Sequence, residues 1–280
     1  MTVEPRIRES FSGSPIGRPA SHLCGLPLLG RIANLQVRLA ANEFEIEAAQ
    51  ELRHRVFRAD FNRDSSGRDV DHFDAFCDHL IVLDTENGND IVGTYRLLRE
   101  EKAAKAGGFY SQSEFDIEAL RARMPERRVL ELGRSCVLPQ YRTKRTVELL
   151  WQGIWAYCRA WNIDMMCGCA SFPGTVAAAH ALPLSFLHHH ASATGEWNVH
   201  AHSDIRVDMD MMPVEAVDMR SALAAMPPLI KGYLRVGASF GDGAVVDHEF
   251  GTTDVFVVLP VERISSRYVA HYGVDADRFI

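Results

Sequence analysis

In the stretch LELGRSCVLPQYRTKRTVELLWQGI, residues 130 to 154, an acid and a base stand three positions apart as Glu131 and Arg134, and three cations follow at Arg142, Lys144 and Arg145. A carboxylate near a guanidinium suits removal of a proton from an amine and the holding of an anionic group. On a strand, alternation sends positions 131 and 134 to opposite faces. Gly133 between them is the residue type that marks a bulge or a close backbone approach, and a bulge would re-aim one of the two side chains. Spacing alone leaves that reading level with an edge strand carrying two solvated charges. The cations raise a second question. A helix start carries partial positive charge from its unpaired N–H groups, so Lys144 and Arg145 are unfavourable there unless an anion sits among them. A solvated basic turn is the other reading.

Two further groups invite chemistry and are set aside. His188, His189 and His190, with His200 and His202 nearby, suggest a metal. Adjacent residues of a helix point in different directions, however, so the run does not converge on one ion by itself, and no metal is expected. Cys136 suggests an acyl-enzyme, but no histidine stands at a telling spacing and it reads as a small buried side chain.

The elements that must position these residues follow from periodicity. FEIEAAQELRHRVF places Ile46, Ala49, Leu52 and Val56 on one helical face. HLIVLD and DIVGTYRLL flank an Asn-Gly turn and form a hairpin. VLELGRSCV is a third strand, a helix follows with Leu150, Trp151, Ile154, Cys158 and Trp161 on its apolar face, and IDMMCGCASF is a buried strand parallel to the third. Residues 175 to 190 read as two helical pieces broken at Pro183, and DVFVVLP as a late strand. Residues 1 to 30 are rich in Pro, Gly, Ser and Arg without apolar period and read as a poorly ordered arm, in which Cys24 has no assigned role.

With 280 residues and 47% hydrophobic content the chain can bury a full α/β core. A net charge of −7 argues against general nucleic-acid affinity. No apolar run is long enough to span a bilayer and the start MTVEPRIRES has no signal-peptide core, so the chain is expected in the cytoplasm. The six cysteines lack CxxC pairs and are expected to be reduced.

The βαβ order with LELGRSCVLPQYR resembles the Gcn5-related N-acyltransferase (GNAT) fold, and more closely the acyl-homoserine-lactone synthases. Their spaced charges recur as Arg53 with Phe57, Asp71 with Asp74, Arg96 in GTYRLL, and Glu131 with Arg134. FLHHHA and PPLIKGYLRVGASFGDGAVVDHEFGTTDVFVVLP are similar to the L-ornithine N-alpha-acyltransferases, which make lyso-ornithine lipid from a 3-hydroxyacyl carrier protein. The resemblance implies an α/β fold: a mixed central sheet flanked by helices over residues 31 to 215, with a C-terminal extension, 216 to 280, packed on it. It implies amide formation between a 3-hydroxy fatty acyl group and the alpha-amine of ornithine, with no cofactor beyond the 4'-phosphopantetheine arm of the acyl carrier protein, and peripheral contact with the inner membrane face. The alternatives are another amino acid, a lactone precursor, or a non-catalytic module binding carrier protein or lipid.

Departures refine the resemblance. FRADFNRD lacks the tryptophan that follows the Phe57 position in the lactone synthases, which weakens lactone synthesis. The loop Gln140 to Arg145 lacks both glycines of the acetyl-CoA loop, and side chains in their place suit a single phosphodiester better than a pyrophosphate. Arg142, Lys144 and Arg145 would then meet the pantetheine phosphate and the acidic carrier, beside Val137, where backbone N–H groups near Cys136 would stabilise the oxyanion. Glu131 would be the base and Arg134 would hold the carboxylate network or the substrate. Asp71, Asp74, Arg96 and Arg53 would form the amino-acid end, or else an ion-pair network pinning the N-terminal segment to the sheet.

Overall fold

A computed structural model describes residues 28–57 and 67–264. The readings of residues 1–27 with Cys24, and of the tryptophan-free run after Phe57, lie outside the described residues. The run DHLIVLD forms β3 (Asp78–Asp84) and turns at Asn87–Gly88 into β4 (Asp90–Arg99), an antiparallel hairpin. Both faces of β3 are covered, which is why Leu80–Leu83 at its centre are apolar without alternation. Ile81 and Leu83 pack against Ala49 of α1 (Glu43–Phe57). Leu80 and Val82 face the other way, toward α4 (Lys144–Trp161), whose Gly153 comes close enough to Val37 and Leu80 that a Cβ there would lie 2.8 Å and 3.2 Å from them. The sheet is therefore sandwiched between helices.

Among the described residues nine strands form one sheet. Ahead of the hairpin, β1 (Gly30–Ile32) and β2 (Leu35–Leu39) extend it on one side. After it come α2 (Glu100–Ala106), α3 (Ile117–Arg123), β5 (Val129–Val137), then α4 and β6 (Met165–Pro173). Next are α5 (Ala181–His190), β7 (Arg206–Val207), α6 (Met219–Ala225), α7 (Pro228–Val236), β8 (Ser239–Asp247) and β9 (Thr252–Pro260). The strand order is β1-β2-β3-β4-β5-β6-β9-β8-β7. The segment after residue 216 thus joins the sheet itself, with β9 paired along the whole of β6. Pro183 does not break a helix: it sits in the first turn of α5, where no backbone N–H is required, and the break falls just before Ala181.

Two irregularities of β5 create the site. First, β5 and β6 are the parallel pair and match only over Val129–Met165, Leu130–Met166 and Glu131–Cys167; beyond Glu131 the two strands part. Second, Thr94 pairs with Cys136 and Arg96 with Gly133, so Arg134 and Ser135 together oppose Tyr95 alone: a bulge. The left-handed residue of that bulge is Arg134 itself, with φ 50°, rather than Gly133.

Where the strands part, Gly168 has φ +146°, and a Cβ on it would lie 2.3 Å from the Leu132 carbonyl oxygen. We expect Gly168→Ala to lower the unfolding free energy by roughly 2 kcal/mol or more in urea titration, because strained backbone and an overlap with main chain add. An unchanged midpoint would contradict this close approach.

Candidate active site

The diverging strands open a cavity of about 490 Å³ lined from β5 by Glu131, Gly133, Arg134 and Ser135 and from β6 by Cys169 and Ser171. Tyr110 and Ser111 close one wall, Val56, Phe57, Leu229 and Phe250 supply apolar surface, and Asp247, Thr252 and Asp254 line the β9 side. The bulge does what the spacing of the sequence left open: Glu131 and Arg134 face one cavity.

Glu131 is 3% exposed and fully engaged. Its Oε2 accepts from the Tyr110 N–H at 2.7 Å, and its Oε1 accepts from the Ser111 N–H at 2.8 Å and the Ser111 hydroxyl at 2.6 Å. Burial pushes its carboxyl above the usual range, against the lowering pull of those donors and of the Arg96 charge. A carboxylate so placed is a stronger proton acceptor than one in water. Arg134 pairs with Asp69 and Asp71, each at 3.1 Å, and its guanidinium lies 4.6 Å from the ring centres of both Tyr110 and Phe250. These contacts hold its unfavourable backbone conformation in place.

The other charged residues singled out from the sequence assemble beside the cavity rather than in its wall. Arg53 is 0% exposed and meets both oxygens of Asp74, at 2.9 and 3.0 Å. Arg96 donates to Asp71 at 2.6 Å, and Asp74 also accepts from the Asp71 N–H at 3.0 Å. Burial alone would raise the Asp74 carboxyl, yet Arg53, the Asp71 N–H and Arg96 hold it below its ordinary value. Asp71 caps the short 3-10 turn His72–Phe76 through the Phe73 N–H. Arg53, Asp69, Asp71, Asp74, Arg96 and Arg134 therefore form one network that ties α1 and the segment before β3 to β4 and β5.

The basic residues follow the end of β5 at which it has left β6. Arg142, Lys144 and Arg145 are exposed around the start of α4, which Thr143 caps by accepting from the Thr146 N–H. Arg142 donates to the Val137 carbonyl at 3.1 Å, and Lys144 lies 3.4 Å from Glu148. Cys136 and Val137 are in register with Thr94 and Gly93 on β4 and do not line the cavity. The Cys136 thiol is pushed up to about 12 by burial, unsuited to nucleophilic attack. His188 and His189 come within 3.9 and 3.2 Å of Asp210, and His189 Nε2 also lies 2.8 Å from the Met212 carbonyl, so the histidine run does meet a carboxylate that its own spacing does not announce.

Sequence reasoning missed one acidic group. Glu114 Oε2 lies 3.3 Å from Cys169 Sγ, which lies 3.2 Å from Ser111 Oγ, and Asp254 stands within 4.8 Å of Glu114 and Cys169. Burial first, then the Asp254 charge, brings the Glu114 carboxyl up to about 7, and burial also raises Asp254. The sole signal in the sequence was a polar residue in the alternation of TTDVFVVLP; nothing local links it to Glu114.

A model of the acetyltransferase (GNAT) domain matches residues 52–152, the span from α1 through β5 into α4. An L-ornithine N(alpha)-acyltransferase of Brucella abortus is 57% identical over 263 residues, covering 90% of this chain and 94% of its own. One from Agrobacterium fabrum is 58% identical over 261 residues, covering 90% and 89%. Among solved structures, FeeM, an N-acyl amino acid synthase from uncultured soil microbes, is 11% identical with a TM-score of 0.43, covering 81% of this chain and 91% of its own. The mixed sheet flanked by helices is of GNAT type, and the chain belongs to the L-ornithine N(alpha)-acyltransferase family.

Proposed function

We propose that this acyltransferase joins a 3-hydroxy fatty acyl group, delivered as the thioester of acyl carrier protein, to the alpha-amine of L-ornithine, giving lyso-ornithine lipid. Family membership supports the acylation of ornithine. The observation that carries the mechanism is the parting of β5 from β6 beyond Glu131, with Glu131 and Arg134 on the cavity it opens.

The edge of β5 that faces β6 loses its strand partner there, so a thioester carbonyl lying along it would meet backbone N–H groups that no strand claims. Glu131 removes a proton from the ornithine ammonium, directly or through water. The neutral amine attacks the thioester carbon, the C–N bond forms, and the oxyanion collapses with cleavage of the C–S bond. The departing thiolate takes up the proton that the amine sheds, leaving carrier-protein thiol and amide. Arg134, lining the cavity as a permanent cation, orients the ornithine carboxylate.

Arg142, Lys144 and Arg145 follow the open end of β5, where the phosphate of a pantetheine arm would emerge beside the acidic carrier. Exposed cations of this kind act mainly on encounter rate. Lys144→Glu with Arg145→Glu should therefore raise the KM for acyl carrier protein and flatten its salt dependence, with kcat for bound donor nearly unchanged. A parental KM at low salt would return the loop to an ordinary solvated turn. Among the described residues no helix is long and apolar enough to cross a membrane.

Thiol release from 3-hydroxyacyl carrier protein, followed with and without ornithine, tests the reading. Release that depends on ornithine is the expected outcome. Release indifferent to ornithine, or none with either, would favour a binding module over an enzyme.

A further inference from the structure

The β9 side of the cavity is acidic, and its buried carboxyl groups find no ion-pair partner among the described residues. Asp254 is only 7% exposed, with the Thr252 and Ser171 hydroxyls placed to favour its ionised form, yet its Oδ1 makes no close hydrogen bond among the described residues; Thr252 stands two positions earlier on the same face of β9. Glu114 and Asp254 bring carboxylate oxygens within 4.8 Å of each other, and among the described residues neither has an ion-pair partner. Two carboxylates that close, in a poorly hydrated wall, repel one another, and an unpaired buried acceptor is costly. Such a pair is relieved by holding a proton or by a cation delivered to it, and a cation binding there displaces the proton. Arg134, on the cavity wall, is paired with Asp69 and Asp71 and acts on Asp254 only through longer-range attraction.

We infer that Asp254 and Glu114, with Thr252, form the subsite for the distal ammonium of the amino-acid acceptor. The inference rests on the proposed acylation of ornithine and adds the residues that select it. Contacts of 2.6, 3.2 and 3.3 Å run from Glu131 through Ser111 and Cys169 to Glu114, so the base and Asp254, both on the cavity lining, are joined by a short chain of side chains, with Glu114 adjoining Asp254. The two nitrogens of ornithine, five bonds apart, are separated by roughly 6 Å when the chain is extended. One nitrogen can therefore reach Glu131 while the other sits between Asp254 and Glu114 and donates to Thr252. The amine presented to the thioester is then the alpha-amine. Asp71 and Asp74 are already paired with arginines, so the distal charge is read by the β9 side and not by that network.

The test is ornithine affinity, by calorimetry without any donor, for the parent and for Asp254→Asn, with norvaline as the same carbon chain lacking the distal amine. Ornithine should bind the variant about 10- to 100-fold more weakly, the range of one lost charged hydrogen bond, and norvaline should bind both proteins weakly and equally. Because the substitution removes an uncompensated buried charge, the variant should melt at or above the parent temperature. Glu114→Gln provides a second variant and should act in the same direction. Equal ornithine affinity in parent and variants overturns the subsite, as does a lowered melting temperature with proportional loss on both ligands. An ornithine preference abolished by a chelator would overturn it in favour of a metal site. Tight ornithine binding without acyl transfer would leave the subsite standing and remove the proposed reaction instead.

Discussion

Glu131→Gln should lower turnover by roughly 10² to 10⁴ while the chain still folds, the range expected for loss of a positioned general base. The geometry adds a second expectation. Three donors converge on this carboxylate, and an amide cannot accept from all of them: its NH₂ must confront either the Tyr110 N–H or the Ser111 pair. One buried donor is left unsatisfied, and stability should fall by about 1 to 3 kcal/mol. The two effects separate in the pH profile. Burial holds the Glu131 carboxyl above its ordinary value, so deprotonation of the base contributes a rise of rate with pH, and that limb should vanish in the variant, leaving only the ionisation of the acceptor amine. Ser111→Ala removes one donor but keeps the base, and should cost stability without removing the limb. Turnover near that of the parent from pH 6 to 9 would show that Glu131 merely anchors the turn that carries Tyr110 and Ser111.

The largest loss of stability is expected for Arg53→Met. That side chain is buried completely and bridges both oxygens of Asp74 as well as Asp69. Removing it leaves a 7% exposed carboxylate facing a thioether, and breaking a buried pair from one side costs about 3 to 5 kcal/mol. The melting temperature should fall by on the order of 10 °C. The pH dependence has a definite sign. Asp74 titrates below its ordinary value in the folded chain, so its contribution is fully present above about pH 4 and is lost as the pH falls through the folded value. The difference between parent and variant should therefore narrow on acidification below that point. A melting temperature within about 2 °C of the parent at neutral pH would mean that the network does not hold the N-terminal helix to the sheet. Ornithine affinity of whatever fraction remains folded should be close to parental, which separates this network from an acceptor site.

Local chemistry made much of the frame legible. The β3–β4 hairpin announces itself through two runs rich in β-formers around Asn-Gly, and the β5–α4–β6 crossover through the change from strand to helix period. The bulge at Arg134 was legible as a question, since Gly133 marks irregularity without saying which residue takes the left-handed conformation; the answer came from side chains remote in sequence, Asp69, Asp71, Tyr110 and Phe250, that hold the arginine there. Insertion of β9 between β6 and β8 was not legible, because Met165 and Pro260 meet through pairing that no local pattern encodes. The same fact hid the acidic pair. Asp254 reads as a polar residue within an apolar strand until β9 is laid against β6, and only then does it come beside Cys169 and Glu114. Conversely, Asp71, Asp74, Arg53 and Arg96 carried the right charges for binding an amino acid, and charge types cannot say that these side chains satisfy one another.

The most direct measurement is mass spectrometry with fragmentation of the product formed by the purified chain from 3-hydroxyacyl carrier protein and ornithine. The account predicts a single amide on the alpha-nitrogen, carrying the intact 3-hydroxyacyl group, with one carrier-protein thiol released for each amide formed. A delta-amide, or release of thiol without any amide, would contradict it.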